Sequence, residues 1–291
     1  MPNLNEKAII AKKSCKAWGA KSTDHELTAE VHAARGMAED AGIYRKNLVA
    51  EEHFKNIKAA YRRWTKEHER LTIPWDGRKA GLLNTKLFYD YDGFYVNVCE
   101  DVKQYVISDL VIVWPQILEE SENRLGNRFN LNDFPAVTDL QDRFKINVEY
   151  YPVPSADVSC LKNLLGKDIT RIGEMELQRQ QAKLQEGMAD VWQRLYKSVR
   201  RMSETLKEPD KKFQKTMINN VIDLNRLLPS LNLAEDPKLT SLQKRVEEEL
   251  SVFSADDLRG SEKARELTSA VAAEIVTEIE EAQPQLRSIE F

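Results

Sequence analysis

DITRIGEMELQRQQAKLQEGMADVWQRLYKSVRRMSETL, the stretch from Asp168 to Leu206, decides the architecture. Apolar residues recur in it at Leu177, Leu184, Met188, Val191, Leu195, Val199, Met202 and Leu206. From Leu184 onward the steps are threes and fours, the period of one face of an α-helix. At about 1.5 Å per residue such a helix is roughly 58 Å long, more than a compact domain ordinarily needs inside itself. It therefore reads as a spine. Asp168 or Thr170 is expected to cap its start. Pro209 forbids continuation, because it lacks an N–H and its ring clashes with the preceding turn. The expected fold class is mainly α with a small β element, an elongated helical bundle built on this long central helix.

Helical stripes continue on the C-terminal side. Lys212 to Leu228 places Phe213, Met217, Val221, Leu224 and Leu228 on one face and is expected to stop at Pro229. Asp236 with Pro237 reads as a helix start for Leu239, Leu242, Val246 and Leu250. Ser254 to Arg259 reads as one turn. Ser261 to Ala282 carries Ala264, Leu267, Val271, Ile275 and Ile279 and is closed by Pro284.

On the N-terminal side the signals are mixed. Ala8 to Trp18 reads as a short strand. Thr23 stands three residues before Glu26, the spacing of a capping box, so a helix is expected from about Asp24. Val49 to Leu71 carries Phe54, Ile57, Tyr61, Trp64, His68 and Leu71 at helical spacing and needs a partner helix. Thr72 to Thr85, with Pro74, Gly77 and Gly81, reads as a loop in which Trp75 plugs a core edge. A helix is expected from Leu87 to Val113, with Pro115 kinking it or starting another, and Gly126 is placed to end that helical stretch. Asn127 to Pro135 reads as a loop and Ala136 to Arg143 as a short helix. Phe144, Ile146, Val148 and Tyr150 alternate with polar or exposed-type residues, the period of a half-buried strand. Its expected partner is Ala8 to Trp18, Ala156 to Leu161 or another copy of the chain. Two regions are expected, 1–165 with helices and a strand pair and 166–291 with the spine and a helical bundle, or one continuous domain.

With 42% hydrophobic and 31% charged residues, the 291-residue chain has the composition of a folded protein and not of a disordered one. The longest strongly apolar run, Leu110 to Trp114, is five residues, too short for a membrane span. Residues 1–13 lack the apolar core of a secretory signal, so a cytoplasmic location is expected. Cys15, Cys99 and Cys160 are widely spaced, which argues against a disulfide frame or a zinc site. Net charge is only −4 but unevenly spread. Arg194 to Lys215 holds eight Lys/Arg against three acidic residues, whereas Asn232 onward holds fourteen acidic residues against seven basic ones. The basic candidates for partner or nucleic-acid contact are Arg194, Lys197, Arg200, Arg201, Lys211, Lys212 and Lys215. Trp192, Tyr196 and Phe213 interleave with them and could supply stacking rings. Core membership is the better reading for Trp192 and Phe213.

The remaining chemistry is sparse. His25 and His32 share a helix face, but their spacing of seven and the lack of a third ligand favour solvated surface over a metal site. His68 falls on a core stripe and reads as packed. Gly77 and Gly81 lack the Lys-Ser/Thr ending of a phosphate loop. Asp90 with Asp92, and Asp256 with Asp257, read as solvated pairs. No catalytic residue, metal or cofactor is expected.

A series of short segments carries a resemblance: Tyr44-Arg45-Lys46-Asn47-Leu48, Leu71-Thr72-Ile73-Pro74-Trp75-Asp76, Leu83 ahead of Tyr91, Leu125-Gly126 with Phe129-Asn130, Phe134-Pro135, Arg143-Phe144, Pro152-Val153-Pro154, Leu231-Asn232-Leu233 and Asp236-Pro237. In this order the chain resembles a phage and mobile-element protein family of unknown function, over most of residues 8–282. Members of that family are often encoded near a MoxR-type AAA+ ATPase and a cobaltochelatase-like protein with a von Willebrand factor A domain. Where they usually carry Asp-Phe-Arg after Pro-x-Pro, this chain has Asp157-Val158-Ser159. The expected function is that of a non-enzymatic, self-associating, coiled-coil-like adaptor of a phage or mobile element, acting in the host cytoplasm. The resemblance implies the ATPase and the von Willebrand factor A protein as its partners. The alternative is a nucleic-acid-binding accessory of phage recombination or counter-defence, motivated by the basic segment.

Overall fold

The computed structural model describes residues 4–77, 79–155, 166–208 and 212–288. In chain order these form α1 (Leu4–Lys7), β1 (Ala8–Lys16), β2 (Lys21–Thr23), α2 (His25–Arg35), β3 (Arg45–Asn47), α3 (Lys55–Leu71), β4 (Thr72–Asp76) and β5 (Ala80–Asn84). Next come α4 (Phe88–Val106), α5 (Trp114–Leu125), β6 (Lys145–Pro152) and the spine α6 (Gly166–Lys207). Last are α7 (Lys215–Leu231), α8 (Pro237–Arg245), α9 (Ala255–Gly260) and α10 (Glu262–Ala282). The fold is α+β and mostly helical, with a four-stranded sheet ordered β4-β5-β1-β6 and a long central helix. None of the described helices is long and apolar enough to cross a membrane.

Two compact units are assembled from separated segments. The first comprises Met1–Lys12, His68–Tyr89 and Glu149–Phe291, and the second Lys13–Glu67 and Asp90–Val148.

In the first unit α6 is the centre, as its stripe demands. Val191, Leu195, Val199 and Met202 are fully buried, and Trp192 and Tyr196 widen the apolar band to a second face. That width lets α6 pack against α10 and α7 and also against β4. Each fully buried aliphatic side chain contributes about 1.5–3 kcal/mol. Where α6 meets α10 the side chains are small: Ser203 Oγ donates to the Ser269 carbonyl (3.2 Å) and Ser269 Oγ to that of Ser203 (3.0 Å). Where α6 meets β4 the packing is tight at Gly187, where a Cβ would lie 3.1 Å from the Pro74 carbonyl oxygen and 3.0 Å from Ile73 Cδ1. The helix begins at Gly166, so neither Asp168 nor Thr170 is its cap. Thr170 instead donates back to the Gly166 carbonyl at 3.1 Å.

Thr72 to Thr85 is no loop. It forms the β4–β5 hairpin, paired Thr72↔Leu83, Ile73↔Leu82 and Pro74↔Gly81, with a bulge between Pro74 and Asp76. The breakers have positions that strands tolerate. Pro74 lies on an edge strand, where a ladder N–H is dispensable. Gly77 takes φ +64° in the turn. Gly81 leaves room for the Thr72 hydroxyl, which a Cβ would approach to 2.3 Å. Trp75 is buried, as expected, but from a strand. β1 pairs antiparallel with β5, and β6 neighbours β1 in the strand order, which selects one of its three expected partners. The segment Ala156 to Leu161 lies outside the described residues.

Further boundaries also differ from expectation. Asp24 and not Thr23 caps α2, accepting from the Leu27 N–H at 2.9 Å, and Thr23 lies in β2. The Ala136–Arg143 helix is two 3-10 turns, Val137–Asp139 and Gln141–Arg143. α7 starts at Lys215 and runs through Pro229 to Leu231. A proline in the last turn removes one hydrogen bond near an end that is already open, and the Asn232 N–H still reaches the Leu228 carbonyl at 2.8 Å. Pro115 starts α5, Gly126 ends it and Asp236 caps α8, as read from sequence, while Ser261, read as the first residue of α10, is its cap.

The core of the second unit is aromatic. Trp64, fully buried, packs its ring against Tyr91 (5.2 Å between centroids), Tyr95 (5.4 Å) and Phe94 (6.5 Å). Trp18, Phe54, Trp114, Phe134 and Phe144 form a second cluster with neighbouring rings 6.0–6.2 Å apart.

Candidate anion-binding site

Lys197 and Arg201 stand one turn apart on α6, so their side chains emerge on the same face. α7 packs against α6, and Lys212 stands just ahead of its first residue, Lys215. These three cations line one cavity of about 490 Å³, together with Ser198, Thr205, Phe213, Gln214, Thr216, Met217 and Asn220. No carboxylate lies among these lining residues. The side chains of Arg201 and Lys212 make no hydrogen bond or ion pair among the described residues. The hydroxyls of Ser198, Thr205 and Thr216 and the amides of Gln214 and Asn220 add neutral donors. The arrangement is suited to a multiply charged oxyanion, which needs several cations and donors and no competing carboxylate.

The other basic candidates do different work. Arg194 faces β4, donating to the Thr72 carbonyl (2.9 Å) and pairing with Asp190 (2.5 Å). It lines a second cavity, of about 510 Å³, with His68, Glu69, Glu186 and Asp190. Arg200 pairs with Glu204 at 2.7 Å and donates to the Tyr196 hydroxyl at 3.0 Å, which in turn donates to Glu280 at 2.9 Å. The bond to Glu204 raises the Arg200 pKa further, and burial foremost raises that of the Tyr196 phenol. This chain of contacts ties α6 to α10. Lys215 is exposed but does not line the cavity, and Lys211 lies outside the described residues.

Among the described residues no stacking ring stands free beside the cations. Trp192 is buried and its indole N–H donates to Asp236 at 3.2 Å, while Tyr196 is fully buried. The guanidiniums of Arg259 and Arg265 each lie 5.4 Å from the centroid of the Phe213 ring. No family model, curated protein or solved structure matches the chain.

The remaining titratable candidates are dispersed. His68 is buried as its stripe position required, His25 is exposed and His32 half-buried. Asp257 accepts from the Ser254 hydroxyl and N–H in a capping box, which holds its carboxyl below the usual range, and Asp256 pairs with Arg259. A grouping that sequence reasoning missed joins His53 to Glu120, 67 residues away, at 2.9 Å. Nothing in the local spacing signals that pair.

Proposed function

We propose that the chain is a non-enzymatic helical interaction protein that holds an anionic group of a partner in the cleft between α6 and α7. The observation that carries this reading is the convergence of Lys197, Arg201 and Lys212 on one cavity with no carboxylate among its described lining residues. The burial of Trp192 and Tyr196 and the contact of two guanidiniums with the Phe213 ring weigh against base stacking, so single-strand recognition through rings is not favoured. On the resemblance, the partner is a MoxR-type AAA+ ATPase or its von Willebrand factor A companion, and the chain acts as an adaptor of a phage or mobile element. Self-association is part of the proposal and is supported by the start of the spine. No described residue of α6 before Leu184 is buried, and Met175 and Leu177 are 58% and 41% exposed.

A pull-down of the tagged protein from phage-expressing cells, with and without nuclease, tests the reading. The expected result is retention of the ATPase in both halves and its loss in the variant Lys197→Glu/Arg201→Glu/Lys212→Glu. The second reading, contact with a nucleic-acid backbone, is favoured by the same three cations. It gains if only nuclease-sensitive proteins are retained and if oligonucleotides bind at low salt, where phosphate attraction is strongest. A strictly monomeric mass by light scattering across micromolar concentrations overturns self-association.

A further inference from the structure

Outside the basic cleft, in the second unit, Glu52 and His53 lie on a 3-10 turn, Glu51–Phe54, and Glu120 lies on α5. One ligand atom from each of the three residues falls within 4.8 Å of the other two, and His53 Nε2 lies 2.9 Å from Glu120 Oε2. We propose that these three side chains form a binding site for a divalent transition-metal ion of the Zn²⁺ type.

Metal bonds of about 2.0–2.2 Å in tetrahedral geometry place donor atoms roughly 3.4 Å apart. The present separations are within reach of side-chain adjustment, with the two carboxylates on exposed residues and His53 half-buried. The supporting backbone is fixed: Phe54 ends the turn in the core, and Ile117 and Ser121 bury α5 on either side of Glu120. A His–carboxylate ion pair explains His53 and Glu120 but leaves Glu52, whose carboxylate makes no hydrogen bond or ion pair among the described residues. Its neighbour Glu51 is already taken by Lys58 at 2.5 Å. Two carboxylates neutralise a divalent charge, and the imidazole selects a borderline ion over Mg²⁺ or Ca²⁺, which prefer all-oxygen shells. Three protein ligands leave a position for water.

The test is calorimetric titration of ZnCl₂ into the chelator-stripped full chain, with circular dichroism to show that each variant is folded. One equivalent is expected to bind with micromolar affinity, and His53→Gln and Glu120→Gln are each expected to weaken it at least about tenfold. Glu52→Gln weakens it several-fold, and millimolar Mg²⁺ does not compete. Co²⁺ substituted for Zn²⁺ is expected to give visible absorption that His53→Gln abolishes. Failure to saturate by about 100 µM Zn²⁺, or binding unchanged in folded His53→Gln, overturns the assignment and leaves an ordinary ion pair.

Discussion

Arg265, at 9% exposure, is a buried charge whose removal the structure makes costly. It projects from α10 to the C-terminal end of α6, where the last carbonyls have no partner in their own helix. Its Nε donates to the Leu206 carbonyl at 3.1 Å, and its Nη2 to the carbonyls of Thr205 (3.1 Å) and Glu208 (2.5 Å). A hydrogen bond to a charged group contributes about 1.5–3 kcal/mol. Arg265→Met keeps most of the stem volume, so the loss comes from the bonds and the stranded carbonyls and not from a void. Two or three such bonds, reduced by the desolvation that the guanidinium no longer suffers, give a destabilisation of about 3–5 kcal/mol. That is a large fraction of the roughly 5–15 kcal/mol typical of a folded domain. Urea unfolding of the full chain measures it, with hydrogen exchange placing the loss in peptides of α6, α7 and α10. Arg265→Lys should recover less than half, because one ammonium cannot reproduce the planar fork across three carbonyls. A change under about 1 kcal/mol for Arg265→Met would mean that water satisfies those carbonyls equally well, and the capping argument would be wrong.

Three further outcomes are expected. Gly81→Ala drives a Cβ to 2.3 Å from Thr72 Oγ1 and 2.6 Å from its Cβ, so it should cost about 2–3 kcal/mol by overpacking; Thr72→Gly in the same chain should return much of that loss, as a double-mutant cycle would show. Glu249 is held below the usual glutamate range, chiefly by its hydrogen bond from Arg245, which also pairs with Glu274 and Glu278 on α10. Because the folded pKa is depressed, this stabilisation is present above about pH 4.3 and is lost as pH falls through the folded value. The stability difference between wild type and Arg245→Gln should therefore shrink below about pH 4, and a difference that grows on acidification would contradict the assignment. Gly187→Leu should be far more disruptive than Gly187→Ala, since the gain in helix propensity of about 1 kcal/mol can offset only the smaller clash with Ile73 and the Pro74 carbonyl; equal melting curves for the two would contradict close packing of α6 on β4.

The elements with the longest apolar stripes are the most legible in the sequence. α6, α3 and α10 each repeat a 3–4 spacing over several turns, and no other secondary structure satisfies that period. The β4–β5 hairpin is not legible, because its signal is short and its punctuation points the other way. Ile73 and Trp75 supply only two alternating apolar residues, and Pro74, Gly77 and Gly81 each break structure in isolation. Their tolerance depends on tertiary facts: which strand lies at the sheet edge, where the turn needs positive φ, and where Thr72 crosses. In the basic segment, the shared face of Lys197 and Arg201 follows from helical periodicity. That Arg194 holds β4, and that Arg200 reaches α10 through the Tyr196 hydroxyl, does not, since Thr72 and Glu280 lie far away in sequence. The same distance hides Glu120 from His53.

The end of α6, where it meets Phe213 ahead of α7, unites the stability argument with the functional one. Arg265 caps the end of the spine and lies against Phe213, and Phe213 is next to Lys212, which faces Lys197 and Arg201 across the cleft. Lys212 itself is exposed and makes no contact that the fold requires. Two kinds of substitution should therefore separate. Lys212→Glu removes a cation from the cleft while changing stability by no more than about 0.5 kcal/mol, as expected for an exposed residue. Arg265→Met touches no cation of the cleft, yet it loosens the segment that carries Lys212 and should weaken both anion binding and stability. Inorganic triphosphate titrated into each variant, beside the urea curves, reads both quantities at once. If Arg265→Met lowers stability but leaves triphosphate affinity intact, the cleft does not depend on how Arg265 holds Phe213 and the end of α6. If Lys212→Glu binds triphosphate as tightly as wild type, Lys197 and Arg201 suffice and the convergence of three cations is not what creates the site.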